Sequence, residues 1–282
     1  MKKSFLIGFA LLALAAAGCQ RDTQKVMARF VPERADDFVW ENDNIIYRAY
    51  GTALEKETLS PGFDVWVKTG GKLVADAWYK GAMEDPNYYH FNRGDGKDCY
   101  KVAKSLGGGA SAPLVEGELI FPDHNYATYE IITATPTEAS FILHYPEWEV
   151  AGHKVSLAKK ITIKAGTNFC EVEDCYSGDF ETLQIAAGLI RHQISEEISG
   201  PDYVAFWEAA SDQSLEPEDG MLGLALYMPR AEKVELNGPA NHAVAIKTVK
   251  PGESLYYYFG SCWSKGNVPT AAKWFEMVKH FN

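Results

Sequence analysis

The sequence predicts an all-β fold in which antiparallel strands close two stacked sheets, followed by a short C-terminal helix. Three observations lead there. Short β-branched and aromatic runs alternate with turn residues along nearly the whole body. Two pairs of alternating segments flank tight turns, Thr135-Pro136-Thr137-Glu138 and Lys164-Ala165-Gly166-Thr167, and read as hairpins. Only the tail breaks the habit: Ala271, Trp274, Phe275, Val278 and Phe281 recur at helical spacing.

The chain opens on Met1-Lys2-Lys3, then an apolar core from Phe5 to Ala17, then Ala16-Ala17-Gly18-Cys19. A basic start, a short apolar core and small residues before a cysteine read as a bacterial lipoprotein signal, with Cys19 as the lipidated N-terminus. The core falls short of the roughly 20 apolar residues that span a bilayer. The expected organisation is a signal peptide over 1–18, a polar tether over 19–30 and one β-sandwich domain over 31–282. Strands are expected at 38–40, 45–50 and 63–67, separated by Glu41-Asn42-Asp43-Asn44 and Ser60-Pro61-Gly62. Residues 80–112, rich in Gly, Asp and Tyr and ending in Gly107-Gly108-Gly109, read as a long functional loop. Strands resume at 126–134, 139–145, 155–163, 168–176, 183–191, 203–209, 222–228, 243–249 and 254–260.

Bulk charge narrows the function. Removing residues 1–18, which carry two lysines and no acid, leaves 264 residues and moves the formal charge from −11 to −13. Such a chain repels nucleic acid and anionic lipid surfaces, so no nucleic-acid partner is expected, and membrane contact is expected through the lipid alone. Five cysteines lack zinc spacing, and Cys170 and Cys175 fall on opposite faces of one strand, too far apart to bridge. The 7 Trp, 15 Tyr and 14 Phe can fill a β core, and the same ring faces can stack on sugars.

The densest polar stretch is Tyr88-Tyr89-His90-Phe91-Asn92-Arg93-Gly94-Asp95-Gly96-Lys97-Asp98-Cys99-Tyr100-Lys101. Acids and bases to move protons, cations to neutralise a carboxylate and rings to stack suit sugar chemistry. The candidate catalytic residues are His90, Asp95, Asp98 and Tyr100 here, and His192 at a strand end. The candidate binding residues are Tyr89, Arg93, Lys101, His124, Trp207, Glu208 and Trp263. A solvated turn, with Gly94 and Gly96 serving backbone geometry, is the competing reading of the loop. Asp95-Gly96-Lys97-Asp98 lacks the acidic spacing of an EF-hand, so no metal or cofactor is predicted, with an irregular calcium site left open. No GxSxG, HExxH or phosphate-cradling loop is present, which removes serine-esterase, zincin and nucleotide-dependent functions.

Several segments occur in order: Val31-Pro32-Glu33-Arg34-Ala35-Asp36-Asp37-Phe38-Val39-Trp40-Glu41-Asn42-Asp43, Tyr47-Arg48-Ala49-Tyr50-Gly51 and Gly62-Phe63-Asp64-Val65-Trp66-Val67-Lys68. Tyr89-His90, Asp98-Cys99-Tyr100-Lys101-Val102 and Gly107-Gly108-Gly109 follow. Together they resemble the bacterial domain family DUF4861. The resemblance implies an exported protein of Bacteroidetes-type bacteria, associated with polysaccharide utilisation, with a fold similar to the galactose mutarotase-like β-supersandwich. It also implies a catalytic cleft on a sheet face, in which His90 and His192 would sit. Where the family's loop carries a second histidine and more acid, this chain has Phe91-Asn92-Arg93-Gly94-Asp95.

Two functions follow as expectations. One is a cell-envelope enzyme, held by its lipid at the outer membrane and acting on uronic-acid-containing oligo- or polysaccharides. A lyase would use Arg93 or Lys101 to neutralise the sugar carboxylate and His192, His90 or Tyr100 to remove the C5 proton. A hydrolase would use Asp95, Asp98 or Glu208 as acid, and a mutarotase or epimerase would pair a histidine with a carboxylate. The other is a glycan-binding lipoprotein without turnover.

Overall fold

In the computed structural model, which describes residues 23–55, 59–211, 213–214 and 218–281, the alternating segments pair into three antiparallel sheets. The signal peptide and Cys19 lie outside the described residues. The first sheet runs in chain order: β1 (Val26–Val31), β2 (Asp37–Asn42), β3 (Ile46–Ala49), β4 (Asp64–Lys68) and β5 (Gly96–Asp98), with α1 (Ala75–Ala82) inserted between β4 and β5. Strand periodicity sends Phe38, Trp40, Tyr47, Val65 and Val67 to the main core. Their neighbours Val39, Ile46 and Trp66 point to the other face, where Trp78 and Tyr79 of α1 cover them. Burial on both faces explains why these runs read as continuous apolar stretches.

The remaining strands are β6 (Gly108–Val115), β7 (Glu118–Leu119), β8 (Thr128–Ala134), β9 (Glu138–Val150), β10 (His153–Lys164), β11 (Phe169–Gly178) and β12 (Leu183–Ile190). After them come β13 (Ile194–Ser199), β14 (Tyr203–Ala209), β15 (Met221–Tyr227), β16 (Lys233–Glu235), β17 (His242–Val249) and β18 (Ser254–Trp263). An eight-stranded sheet takes the order β13-β14-β15-β18-β11-β10-β9-β8, and a second five-stranded sheet takes β16-β17-β12-β6-β7. Both predicted hairpins are present: Ile131 of β8 stands opposite Phe141 of β9, and Ile161 of β10 stands opposite Val172 of β11.

One face of the large sheet packs across both smaller ones. Phe141 meets Phe38 at 4.4 Å, and Phe259 meets Tyr47 at 4.8 Å and Phe63 at 5.2 Å between ring centroids. The two smaller sheets adjoin where Phe63 bridges Gly107. Gly107 has φ +58°, and a Cβ there would stand 2.2 Å from the Phe63 carbonyl oxygen, so the close approach requires glycine.

The other face of the large sheet is partly covered by α2 (Ala271–Lys279), whose first turn is capped by Thr270, its Oγ1 accepting from the Lys273 amide. Trp274 stacks on Phe169 at 5.5 Å, and its Nε1 donates to the Leu224 carbonyl at 3.2 Å. Trp274→Ala is expected to cost about 3–5 kcal/mol by denaturant titration, because a fully buried indole leaves a cavity. A loss below about 1 kcal/mol would mean the helix does not anchor this face.

Four expectations are corrected. Residues 26–30, read as tether, form most of β1, which pairs along its length with β2. Its apolar residues Val26, Met27, Ala28, Phe30 and Val31 were signal enough for a strand, and stacking of Phe30 on Tyr129 at 5.2 Å holds it. The presumed 80–112 loop contains the end of α1, a 3-10 turn at Tyr88–His90, β5 and the start of β6. Helix α1 has no side-chain cap of its own; Glu41 of β2 accepts from the Val74 and Ala75 amides at 2.8 and 2.9 Å. A cap lent from another strand leaves no local signature. Strand β13, with its mostly exposed polar side chains, was not legible either. Finally, the partner of the eight-stranded sheet is a pair of sheets rather than one.

A cluster of buried charge opening on a cleft

Four strands of the first sheet send charged side chains to its α1 face: Asp37 from β2, Arg48 from β3, Asp64 from β4 and Asp98 from β5. The Arg48 guanidinium is the hub. Its Nε donates to Asp64 Oδ2 at 2.9 Å, its Nη2 donates to Asp64 and to Asp98 Oδ2 (3.0 Å for the latter), and its Nη1 lies 3.5 Å from Asp37 Oδ2. Trp66 and Tyr50 offer ring faces to it at 5.0 and 4.8 Å.

One buried cation cannot balance three buried carboxylates, and protonation resolves the mismatch. Burial, then the like charge of Asp64, pushes the Asp98 carboxyl up to about 8, against the pull of Arg48. Burial likewise raises Asp37 to about 6, opposed by Arg48 and Arg34. Burial alone would weaken the charge on Arg48, but Tyr50 and the three acids reverse that and hold it protonated. Near neutral pH, Asp98 is therefore the member of the cluster that carries a proton.

Asp98 also faces a cleft of about 390 Å³, lined with Arg34, Tyr50, His90, Tyr100, Lys101 and Gln213 among others. His90 sits on the 3-10 turn, and its Nδ1 lies 3.4 Å from the Asp98 carbonyl oxygen and 3.7 Å from Asp98 Oδ2. A carbonyl can only accept, so the proton belongs on Nδ1 and the lone pair on Nε2. Burial lowers the affinity of His90 for a second proton, and the hydrogen bond to Asp98 only partly offsets it. The cleft thus juxtaposes a protonated carboxyl and a neutral imidazole. Arg34, about 29% exposed, donates from Nε to the Tyr89 hydroxyl at 3.4 Å and is the less enclosed of the two arginines.

Behind the cleft lies a second pair. His192, just past β12, places Nδ1 3.1 Å from Glu208 Oε1 and Nε2 2.9 Å from the Lys101 carbonyl oxygen. Gln213 donates to the same Glu208 oxygen at 3.0 Å, and Tyr100 meets the His192 ring edge-on at 5.0 Å. With both ring nitrogens engaged, His192 fastens the 100–101 segment rather than addressing the cleft.

Of the residues singled out from sequence, His90, Asp98, Tyr100 and Lys101 line the cleft. Tyr89 lies beneath it, stacked on Trp66 at 4.9 Å, and His192 and Glu208 lie behind. The others are elsewhere. Asp95 pairs with Lys72 at 2.9 Å and Arg93 with Asp85 at 3.2 Å, both in solvent. Asn92 closes that segment as a turn by accepting from the Gly94 and Gly96 amides, so here the turn reading applies. His124 is exposed and pairs with Glu55 at 3.3 Å. Trp207 packs in the cluster under α2, and Trp263 is buried with its Nε1 donating to the Asp219 carbonyl at 2.7 Å. Arg34, Asp37, Arg48, Tyr50, Asp64 and Gln213 escaped notice. The usable signal was a charge inside an apolar run, as in Tyr47-Arg48-Ala49 and Phe63-Asp64-Val65.

Among the described residues no group of His, Cys, Asp and Glu is arranged to hold a metal ion. Where three carboxylates converge, the Arg48 guanidinium takes the cation's position. The four described cysteines are free thiols. One expected outcome concerns the cluster alone. In Asp64→Asn, the Asp98 carboxyl titration followed by 13C NMR should move below about 8, because a like charge is gone and Arg48 is left to Asp98. An unchanged midpoint would mean that burial alone sets it.

The chain is 31% identical over 278 residues to Uncharacterized protein P7 of Formosa agariphila, a match that covers 90% of this chain and 66% of that protein. It therefore spans just under two thirds of its relative's length. Among solved structures, it is similar to a candidate kojibiose phosphorylase from the human microbiome (TM-score 0.39, 9% identity, covering 89% of this chain and 36% of that one). It is also similar to a candidate aldose 1-epimerase from Klebsiella pneumoniae (TM-score 0.39, 11% identity, covering 90% and 87%). Residues 16–282 match the family described as Domain of unknown function (DUF4861), nearly the whole chain, and the protein belongs to that family.

Proposed function

We propose that this protein is an exported enzyme, held in the cell envelope at the outer membrane by a lipid on Cys19, that cleaves uronic-acid-containing oligo- or polysaccharides by β-elimination. One observation carries the reading: at the wall of an open cleft the Asp98 carboxyl lies 3.7 Å from the His90 imidazole, with burial pushing the carboxyl up to about 8 and the imidazole below its ordinary value. Elimination needs that pair. His90 Nε2 takes the proton from C5 of the uronate, and the C5–H electrons form the C4–C5 double bond. The C4–O bond breaks, and Asp98 gives its proton to the departing oxygen. Adjacent placement of acid and base suits removal and delivery on one face of the sugar.

Arg34, which also pairs with Asp37 at 3.5 Å, and Lys101 line the cleft as the cations for the sugar carboxylate, and Arg48 lies deeper among its three acids. Two-carboxylate hydrolysis finds less support. It needs a second carboxylate about 5–9.5 Å across the substrate, and among the described residues Asp98 is the one carboxylate that lines the cleft.

The test uses the chain from Gln20 onward, incubated with acidic and neutral glycans and read by mass spectrometry. The expected product keeps the summed mass and carries an unsaturated end, and His90→Ala loses it while remaining folded. A product that gains water would replace the lyase with a hydrolase. No product from any glycan would leave binding without turnover, or an isomerisation that mass cannot see.

A further inference from the structure

Helix α2 leaves part of the outer face of the eight-stranded sheet uncovered, and aromatic side chains stand there. β18 pairs with β11 so that Tyr256 stands opposite Glu173 and Tyr258 opposite Glu171. Tyr256 is 47% exposed, yet it is not loose: its hydroxyl donates to Glu173 Oε1 at 2.8 Å, an oxygen that Ser254 also engages at 2.8 Å. Tyr258 follows on the same face about 7 Å along the strand. It meets Phe281 edge-on at 5.1 Å and Tyr227 at 6.1 Å. Beside it opens a second cavity of about 330 Å³, walled by Thr162, Thr167 and Glu171.

We infer that this face is a second, non-catalytic carbohydrate-binding surface that takes neutral sugar chains. The inference rests on the carbohydrate reading above, but not on the cleft or its reaction. The face of an aromatic ring carries partial negative charge, and the C–H edges of a pyranose carry partial positive charge, so the two stack. A ring pinned by its own hydroxyl loses little freedom on binding, which favours affinity. Hydroxyls and a carboxylate next to the rings supply partners for sugar hydroxyls. The nearby cations are matched by acids, Lys160 by Glu173 at 3.5 Å and Lys164 by Glu138 at 3.6 Å, which leaves no surplus positive charge to attract a polyanion. A cleft for acidic sugar units and a separate surface for neutral chain would let the protein hold a mixed polymer while working on it.

The test is affinity electrophoresis of the full chain in gels containing soluble xyloglucan, galactomannan or laminarin. Retardation by at least one polymer is expected, weakened about tenfold or more in Tyr256→Ala with Tyr258→Ala, retained in Tyr256→Phe and unaffected by Asp98→Asn. No retardation by any of them would overturn the proposal, as would retardation unchanged in the double variant or lost in Tyr256→Phe. Concentration-dependent dimerisation abolished by Tyr256→Ala would also overturn it, since the face would then belong to a second copy. Product release without Tyr256-dependent binding removes this surface and leaves the cleft's reaction standing. Tyrosine-dependent binding without product does the reverse.

Discussion

Asp98→Asn is expected to reduce turnover by about 10²–10⁴-fold while the protein stays folded, because asparagine keeps the shape and hydrogen-bonding reach but has no proton to give. The pH profile of the parent protein carries the sharper signature. The acid limb reports protonation of His90, which burial moves below the ordinary histidine value. The basic limb reports loss of the Asp98 proton near about 8. Residual activity of Asp98→Asn should lose the basic limb and keep the acid one. A variant with full turnover, or with an unmoved basic limb, would remove Asp98 from the reaction.

The same proton has a consequence for stability. A carboxyl whose folded-state pKa lies above its unfolded value binds its proton more tightly when folded, so stability falls as pH rises from the ordinary aspartate range through about 8. Thermal melts across that window should show the decline in the parent and a flatter line in Asp98→Asn.

Arg48→Met carries as large an expected effect on folding as Trp274→Ala. It strands Asp37, Asp64 and Asp98 in a buried cluster without their common cation, and removing one partner of such a network costs about 3–5 kcal/mol. The sign of the pH dependence distinguishes this from simple loss of packing. Without the pull of Arg48 the Asp37 and Asp98 carboxyls rise further, and protonating them relieves the repulsion, so the deficit measured by denaturant should shrink as pH falls. An equal deficit at acidic and neutral pH would mean that Arg48 acts through contact with Trp66 and Tyr50 rather than through charge. Replacing Asp64 by Leu in the Arg48→Met background should recover part of the loss.

How far the fold can be read from the chain depends on where each element finds its partners. The β10–β11 hairpin and α2 bury one face against a continuous core, so their apolar periods appear in the sequence as written. β5 is Gly96-Lys97-Asp98, with no strand-like composition, and owes its conformation to pairing with β4. Helix α1 owes its first turn to Glu41, more than thirty residues earlier.

The cleft divides in the same way. The stretch from Tyr88 to Lys101 was legible as polar and chemically mixed, and it supplies His90, Asp98, Tyr100 and Lys101. Composition could not separate these from Arg93 and Asp95 in the same stretch, because the Asn92 turn carries that pair into solvent.

What the residues alone established is the class of fold, the hairpins, the terminal helix and a segment equipped for proton transfer, since these follow from periodicity and side-chain type within a short span. Which of those groups gains affinity for a proton was decided in three dimensions. Arg48 reaches Asp64 across 16 residues and Asp98 across 50, and their convergence in a largely buried cluster raises Asp98 and lowers the affinity of His90 for a second proton. A proton's affinity depends on the charges and solvent within a few ångströms, and sequence order does not record those distances.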